Sequence, residues 1–160
     1  MSTRVLASLG GLALFCLPVL VTAAGEDAKA LNVELKSFTF KEEKADLFGF
    51  NEGENKLFLY TNGKARTKIK VAADGDYTIL VKASGDEALN EGAKFKLAVD
   101  SKMIGKETTT SGEPKDYPFE ATLKAGELEL TIEFTNDVFK EGEYDRNLYV
   151  HAVTVKKAKK

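Results

Sequence analysis

The chain has 160 residues, the length of one domain, and its 23 basic and 25 acidic residues leave a formal net charge of −2. This mixed, mildly acidic balance argues against nucleic-acid binding, which requires a basic face. The single cysteine, Cys16, lies in an apolar N-terminal stretch. The rest of the chain therefore has no thiol for a disulfide, a zinc site or a nucleophile.

Residues 1–24 have the layout of a secretory signal peptide. Arg4 supplies a positive charge, residues 5–21 are almost wholly apolar, and small residues end the stretch at Ala24. We expect cleavage near Ala24, which would release a secreted or periplasmic protein with no membrane attachment. The alternative is an uncleaved membrane anchor, for which an apolar run of about 17 residues is at the short limit.

The remaining chain divides into a linker, a domain and a short tail. Residues 25–31 are polar and small and are expected to form a linker, and residues 158–160 form a basic tail. Between them, over 32–157, apolar and polar residues alternate repeatedly. The alternating apolar sets are Ile69 and Val71; Tyr77, Ile79, Val81 and Ala83; Phe95, Leu97 and Val99; Phe119, Ala121 and Leu123; and Leu128, Leu130, Ile132 and Phe134.

A period of two places each apolar set on one face of a strand, as in antiparallel sheets with one buried face. Turn signals separate these strands at short spacing, for example Asp74-Gly75-Asp76 and Ala125-Gly126. The pattern predicts about nine strands arranged as an all-β antiparallel sandwich or jelly roll.

The last strand-like segment breaks the alternation. Leu148 and Val150 are in one phase, whereas Val153 and Val155 are in the other. Two explanations remain open: both faces of this strand are partly buried, or a β-bulge shifts its phase.

The residues that most enzymes use are missing or isolated. His151 is the single histidine and lies in a strand-like segment, and no Gly-x-Ser-x-Gly sequence is present. A half-buried strand histidine is therefore favoured over a catalytic triad member. Two carboxylates acting as the acid and base of a glycoside hydrolase remain an alternative, but most acidic residues alternate with apolar ones and fit solvated strand faces.

One acidic loop, between a strand that ends at Phe134 and a strand that begins at Leu148, points to a metal. Asp137 and Asp145 lie at its two ends, with further carboxylates between them. Hard oxygen donors on a loop suit calcium, which takes six to eight oxygen ligands. Alternatively, Asp137 caps a turn, and Asp145 forms a weak surface ion pair with Arg146.

This loop also resembles a known family. Asn136-Asp137 followed by Asp145-Arg146-Asn147-Leu148-Tyr149-Val150 is similar to the signature of calcium-dependent, xylan-binding carbohydrate-binding modules. Shorter matching pieces are Leu59 to Gly63, Ala73 to Thr78, Leu97 to Asp100 with Gly105, and Leu123 to Gly126. The resemblance implies a jelly-roll sandwich that binds a xylan-like polysaccharide without catalysis.

The resemblance also implies roles for individual residues. Asp137 and Asp145 would hold calcium, and adjacent sugar hydroxyls would fill its open positions. Asn136, Arg146 and Asn147 match the signature as ligand-binding candidates, although Arg146 and Asn147 could instead hold the loop in shape.

The chain departs from the family because it has no tryptophan to stack on a sugar. Tyr144, Phe139 and Tyr117 are possible substitutes, with Tyr144 the one assigned to the ligand site, although burial is favoured for each. An alternative function is a structural or protein-interaction sandwich that has lost its sugar site.

Overall fold

The structure, a computed structural model, describes residues 30–41, 46–110 and 112–158. The predicted signal peptide and residues 25–29 of the predicted linker lie outside the described residues. The first strand begins at Leu31, the last residue of the predicted linker. No helix in the described ranges has the length and apolar character needed to cross a membrane.

Thirteen strands and one turn of 3-10 helix, Leu35–Ser37, form in the described residues. The strands are β1 (Leu31–Val33), β2 (Thr39–Phe40), β3 (Phe48–Asn51), β4 (Lys56–Leu59), β5 (Gly63–Val71), β6 (Gly75–Gly85), β7 (Lys94–Val99), β8 (Lys102–Thr108), β9 (Lys115–Leu123), β10 (Gly126–Phe134), β11 (Phe139–Lys140), β12 (Tyr144–Asp145) and β13 (Leu148–Lys157). Six of them have four residues or fewer, too short to show a period of two, which explains why the sequence indicated fewer strands.

The strands build two main antiparallel sheets and one small ribbon. The first sheet has the order β3-β4-β13-β6-β9, with β1 also paired to β13. The second has the order β2-β5-β10-β7-β8, and β11 pairs with β12. The predicted fold class, an antiparallel β-sandwich, is confirmed.

The core lies between the two sheets and includes the alternating residues identified in the sequence. Ile79 and Val81 from the first sheet, and Phe95, Leu130 and Ile132 from the second, have no exposed surface. Burying the apolar face of each sheet against the other supplies the main favourable term for this architecture.

A β-bulge explains the phase break in β13. Val150 pairs with Ala83 and Ala152 pairs with the adjacent Lys82, so His151 is an extra residue in the ladder. The insertion moves the buried positions from Leu148 and Val150 to Val153 and Val155. Of the two explanations that the sequence left open, the bulge holds.

Candidate functional site

The acidic loop lies at one end of the sandwich and folds back as a short ribbon. Phe139 of β11 pairs with Asp145 of β12, and Lys140 pairs with Tyr144. The tight turn between them includes Gly142 at a φ of 71°, a left-handed conformation that glycine adopts without strain. The loop therefore folds back on itself, so that its two ends lie side by side.

The ribbon register brings the two candidate calcium ligands to the same face. The Arg146 amide donates to the Val138 carbonyl at 3.0 Å, which continues the pairing beyond β12 and sets Asp137 opposite residue 147. Since alternate residues share a face, Asp137 and Phe139 on one chain segment lie with Asp145 and Asn147 on the other.

These four side chains line one concavity of about 550 Å³, together with Leu47, Tyr60, Thr61 and Tyr149. Its walls thus combine carboxylate and amide oxygens with aromatic rings. Tyr60 and Tyr149 meet edge to face, with ring centroids 6.2 Å apart. A concave surface of mixed apolar and convergent polar groups is the usual form of a ligand site.

Asp137 is held in the concavity by the turn between β4 and β5. Its Oδ2 accepts a hydrogen bond from Thr61 Oγ1 at 2.8 Å, and its amide donates to Asn62 Oδ1 at 2.8 Å. Its Oδ1 is buried and has no partner in the described protein. One carboxylate oxygen is therefore fixed by the fold while the other is left free to accept.

A second unpartnered oxygen belongs to Asn147, whose side chain lies between two carboxylates. Asn147 Nδ2 donates to Asp86 Oδ2 and to Asp145 Oδ2, each at 3.0 Å. Asn147 Oδ1 is buried without a partner in the described protein. Buried acceptors are rarely left unpaired, so we expect water, an ion or a bound ligand to reach these two oxygens.

The donor set fits calcium if neutral oxygens complete it. Within residues 30–41, 46–110 and 112–158, no three His, Cys, Asp or Glu side chains come together as a metal cluster. Asp137 and Asp145 supply two carboxylates, and Asn147 supplies an amide oxygen, all of which calcium accepts. The remaining positions would belong to carbonyls, water or ligand hydroxyls.

Arg146 does not face the concavity. Its side chain is only 4% exposed, and its guanidinium donates to three backbone carbonyls: Nε to Glu91 at 2.9 Å, Nη1 to Asn136 at 2.6 Å, and Nη2 to Ala88. It therefore ties the loop between β6 and β7 to the acidic loop between β10 and β13, which we call the metal loop after the role proposed for it below. Of the two roles that the sequence left open, the geometry favours holding the loop in shape.

Asn136 joins the same two loops. Its Oδ1 accepts from the Lys94 amide at 2.6 Å, and its Nδ2 donates to the Gly92 carbonyl at 3.0 Å and to Glu91 Oε2 at 3.1 Å. Lys94 first, and Asn136 second, hold the pKa of Glu91 below its usual value. The sequence made Asn136 a ligand-binding candidate, but its side-chain amide forms the hydrogen bonds that hold the two loops together.

The three aromatic candidates differ in exposure and in their position relative to the concavity. Phe139 is 66% exposed on the rim of the concavity, contrary to the expected burial. Tyr144 is half-buried and does not line the concavity. Tyr117 is buried in the core, edge-on to Phe95. Phe139, rather than Tyr144, is therefore placed to meet a ligand there.

His151 forms a pair with Ser84 that resembles part of a catalytic triad. Ser84 Oγ and His151 Nε2 are 2.9 Å apart, but Ser84 is only 3% exposed. Burial first, then the charges of Lys56 and Lys82, lower the pKa of His151. A buried hydroxyl cannot reach a substrate, so the geometry fits the half-buried strand histidine expected from the sequence.

Comparison with known proteins now identifies the family. A model of CBM60, described as a calcium-dependent, xylan-binding carbohydrate-binding module, matches residues 78–160, just over half of the chain. The chain belongs to the CBM60 family. It is therefore a carbohydrate-binding module, as the resemblance implied. No match to the chain is found among curated proteins.

Solved structures share the fold of this CBM60 module at low identity. A CBM36-1 domain of a multidomain xylanase from the hindgut metagenome of Trinervitermes trinervoides has a TM-score of 0.63 and 15% identity, covering 82% of this chain and 99% of that one. A CBM36 module in complex with calcium and xylotriose has a TM-score of 0.59 and 17% identity, covering 80% and 99%. A CBM35 from Paenibacillus barcinonensis has a TM-score of 0.53 and 15% identity, covering 81% and 98%.

Several residues of the site were missed from the sequence. Thr61, Tyr60 and Tyr149 lie in segments that carried the family resemblance, but their place in the concavity depends on tertiary contacts, such as the hydrogen bond from Thr61 to Asp137, 76 residues away. Asp86 was also missed, because its hydrogen bond to Asn147, 61 residues away, has no local signal in the sequence.

The buried guanidinium leads to a stability prediction. Arg146→Ala should lower the free energy of unfolding of the CBM60 module by about 3 kcal/mol or more, because several buried carbonyls lose their donor. Urea unfolding followed by circular dichroism measures the loss. Arg66→Ala, at a half-exposed arginine on β5, is the matched control and should change it by about 0.5 kcal/mol or less. Equal midpoints for the two variants would contradict the framework role.

Proposed function

We propose that this CBM60 module binds a xylan-like polysaccharide, without catalysis, through calcium held by Asp137 and Asp145. The observation that carries the proposal is the pair of buried, unpartnered oxygens, Asp137 Oδ1 and Asn147 Oδ1, in one concavity. Support comes also from the family description and from the shared fold with a module in complex with calcium and xylotriose.

Four residues of the concavity have distinct parts in the metal-binding half of this proposal. Thr61 orients Asp137 by donating to Oδ2, which leaves Oδ1 directed to the ligand. Asn147 holds Asp145 by donating to one of its oxygens. Calcium bound between these groups would offer open positions that two adjacent sugar hydroxyls can fill as a bidentate oxygen donor.

The apolar part of the concavity would bind the sugar ring. Phe139 and Tyr60 are exposed by 66% and 38%, and both line it. Aromatic faces pack against the apolar C–H surface of a sugar ring, and the exposure of these two rings leaves the rim of the concavity open to solvent. An internal segment of an extended polysaccharide fits such an open surface.

Removing either carboxylate tests the metal-dependent part. Asp137→Ala and Asp145→Ala should each weaken xylo-oligosaccharide binding by at least about a hundred-fold, since even outer-shell changes cost ten- to a hundred-fold in metal affinity. Calorimetric titration of calcium with and without oligosaccharide measures this, and each ligand should strengthen the other by the same factor.

Asp116→Ala, at an exposed carboxylate on β9, is the control and should bind as the wild type does. If the sugar leaves the calcium affinity unchanged, the ion has only a structural role. Absence of glycan binding with or without calcium would instead support the protein-interaction alternative.

A substitution at Phe139 tests sugar binding separately from metal binding. Phe139→Ala should weaken the oligosaccharide by about ten-fold, in line with the loss of one exposed aromatic contact, and leave calcium affinity in the absence of sugar unchanged. The same titrations measure both constants. A matched control is Leu89→Ala, which truncates a 63%-exposed side chain outside the concavity. An unaltered sugar affinity in the Phe139 variant would remove this residue from the site.

We also propose that the module works outside the cytoplasm, because residues 1–24 have the composition of a signal peptide. Expression of the full chain in a bacterial host should yield an extracytoplasmic protein lacking about the first 24 residues. Intact-mass spectrometry of the exported fraction measures this. A full-length product retained with the membrane would favour the uncleaved anchor.

A further inference from the structure

We propose that Asp86 is a positioning residue of the metal site, which acts through Asn147 and Tyr149 to present the Asn147 amide oxygen as a neutral metal ligand. This inference rests on the proposed calcium site but assigns parts that neither the family description nor the structural neighbours state. Asp86 follows β6, whereas Asn147 and Tyr149 come from the end of the metal loop and the start of β13.

The orientation of the Asn147 side chain is fixed by its two carboxylate partners. Its Nδ2 lies 3.0 Å from both Asp86 Oδ2 and Asp145 Oδ2. Ionised carboxylates only accept hydrogen bonds, so the amide must turn its NH₂ group to them and cannot flip. The opposite atom, Oδ1, is therefore forced into a position where the described protein offers it no donor.

This unpartnered oxygen points to a ligand rather than to loose packing. Asn147 is only 5% exposed, yet it lines the concavity that also contains Asp137 and Asp145. Asp137 Oδ1 is likewise buried and without a partner. Two acceptors in one polar concavity are satisfied together by a cation, and calcium readily takes amide as well as carboxylate oxygens.

Asp86 holds Asn147 from two sides. The Asp86 amide donates to the Asn147 carbonyl at 3.1 Å, and Asp86 Oδ2 accepts from the Asn147 side chain. The same Oδ2 accepts from the Tyr149 hydroxyl at 2.8 Å. Asp86 itself is not among the residues that line the concavity. Its contacts therefore orient the metal-ligating side chain of Asn147 from outside the concavity, as outer-shell groups do at metal sites.

Tyr149 keeps Asp86 in place. Its hydroxyl donates to Asp86 Oδ2 at 2.8 Å. Its ring also lies under Lys56, whose Nζ is 4.3 Å from the ring centroid, which restricts movement of the ring.

Terbium provides a spectroscopic test because it substitutes for calcium and is excited through nearby tyrosines. We expect Asp86→Ala to weaken calcium and terbium binding by about ten- to a hundred-fold. Luminescence lifetimes in H₂O and D₂O should show about one additional bound water, which replaces the lost amide oxygen. Asn147→Ala should produce the same increase, and the double variant should show no further increase.

The conservative variant distinguishes positioning from charge. Asp86→Asn retains an oxygen that can accept from Tyr149 and Asn147, so it should keep most of the affinity and the wild-type water count. Tyr149→Phe, which removes one hydroxyl, should cause a smaller loss than Asp86→Ala. Asp116→Ala is the matched control, and thermal unfolding confirms that each variant is folded.

Three results would overturn the inference. If Asp86→Ala and Tyr149→Phe keep the wild-type affinity and water count, Asp86 has no positioning role. If Asp86→Asn is as weak as Asp86→Ala, Asp86 acts through its charge. If the wild type binds neither calcium nor terbium, the proposed function fails along with this inference, whereas the first two results leave the proposed function intact.

Discussion

The arrangement of the site depends on one buried cation, the guanidinium of Arg146. Transferring this group from water is costly unless its donors are satisfied. Here they reach the carbonyls of Ala88, Glu91 and Asn136, and Glu91 adds a carboxylate at 3.5 Å. Those acceptors come from two loops that are far apart in sequence, so the loops must adopt the one conformation that brings the carbonyls together.

The inward direction of Arg146 also determines which residues face the ligand. In an extended segment, neighbours of an inward residue point to the opposite side. With Arg146 turned toward the loop framework, Asp145 and Asn147 are left to line the concavity. The ribbon register then sets Phe139 and Asp137 opposite them. The framework residue and the ligand-facing residues of the signature thus alternate for a single geometric reason.

The sequence predicted the sandwich well because its long strands carry an unambiguous period of two, as in Leu128 to Phe134. It identified the acidic loop between β10 and β13 from Asp137 and Asp145 at its two ends, and the structure places both side chains in one concavity. It could not separate Asn136 and Arg146, which serve the framework, from Asn147, which reaches the concavity. That distinction depends on the ribbon register and on partners such as Glu91 and Asp86, which are separated from the loop by more than 40 residues. Short strands such as β11 were missed because two residues carry no periodic signal.

The donor set explains why metal and sugar would depend on one another. Asn147 contributes a neutral oxygen, and Asp86, although acidic, is set behind it with its Oδ2 already accepting two hydrogen bonds. Only Asp137 and Asp145 among the lining residues carry charge. Calcium affinity rises with the number of charged ligands, so in the proposed site two carboxylates would hold the ion less tightly than a fully acidic loop would. Sugar hydroxyls that complete the coordination would therefore contribute a large share of the binding free energy, and linkage would make this contribution reciprocal.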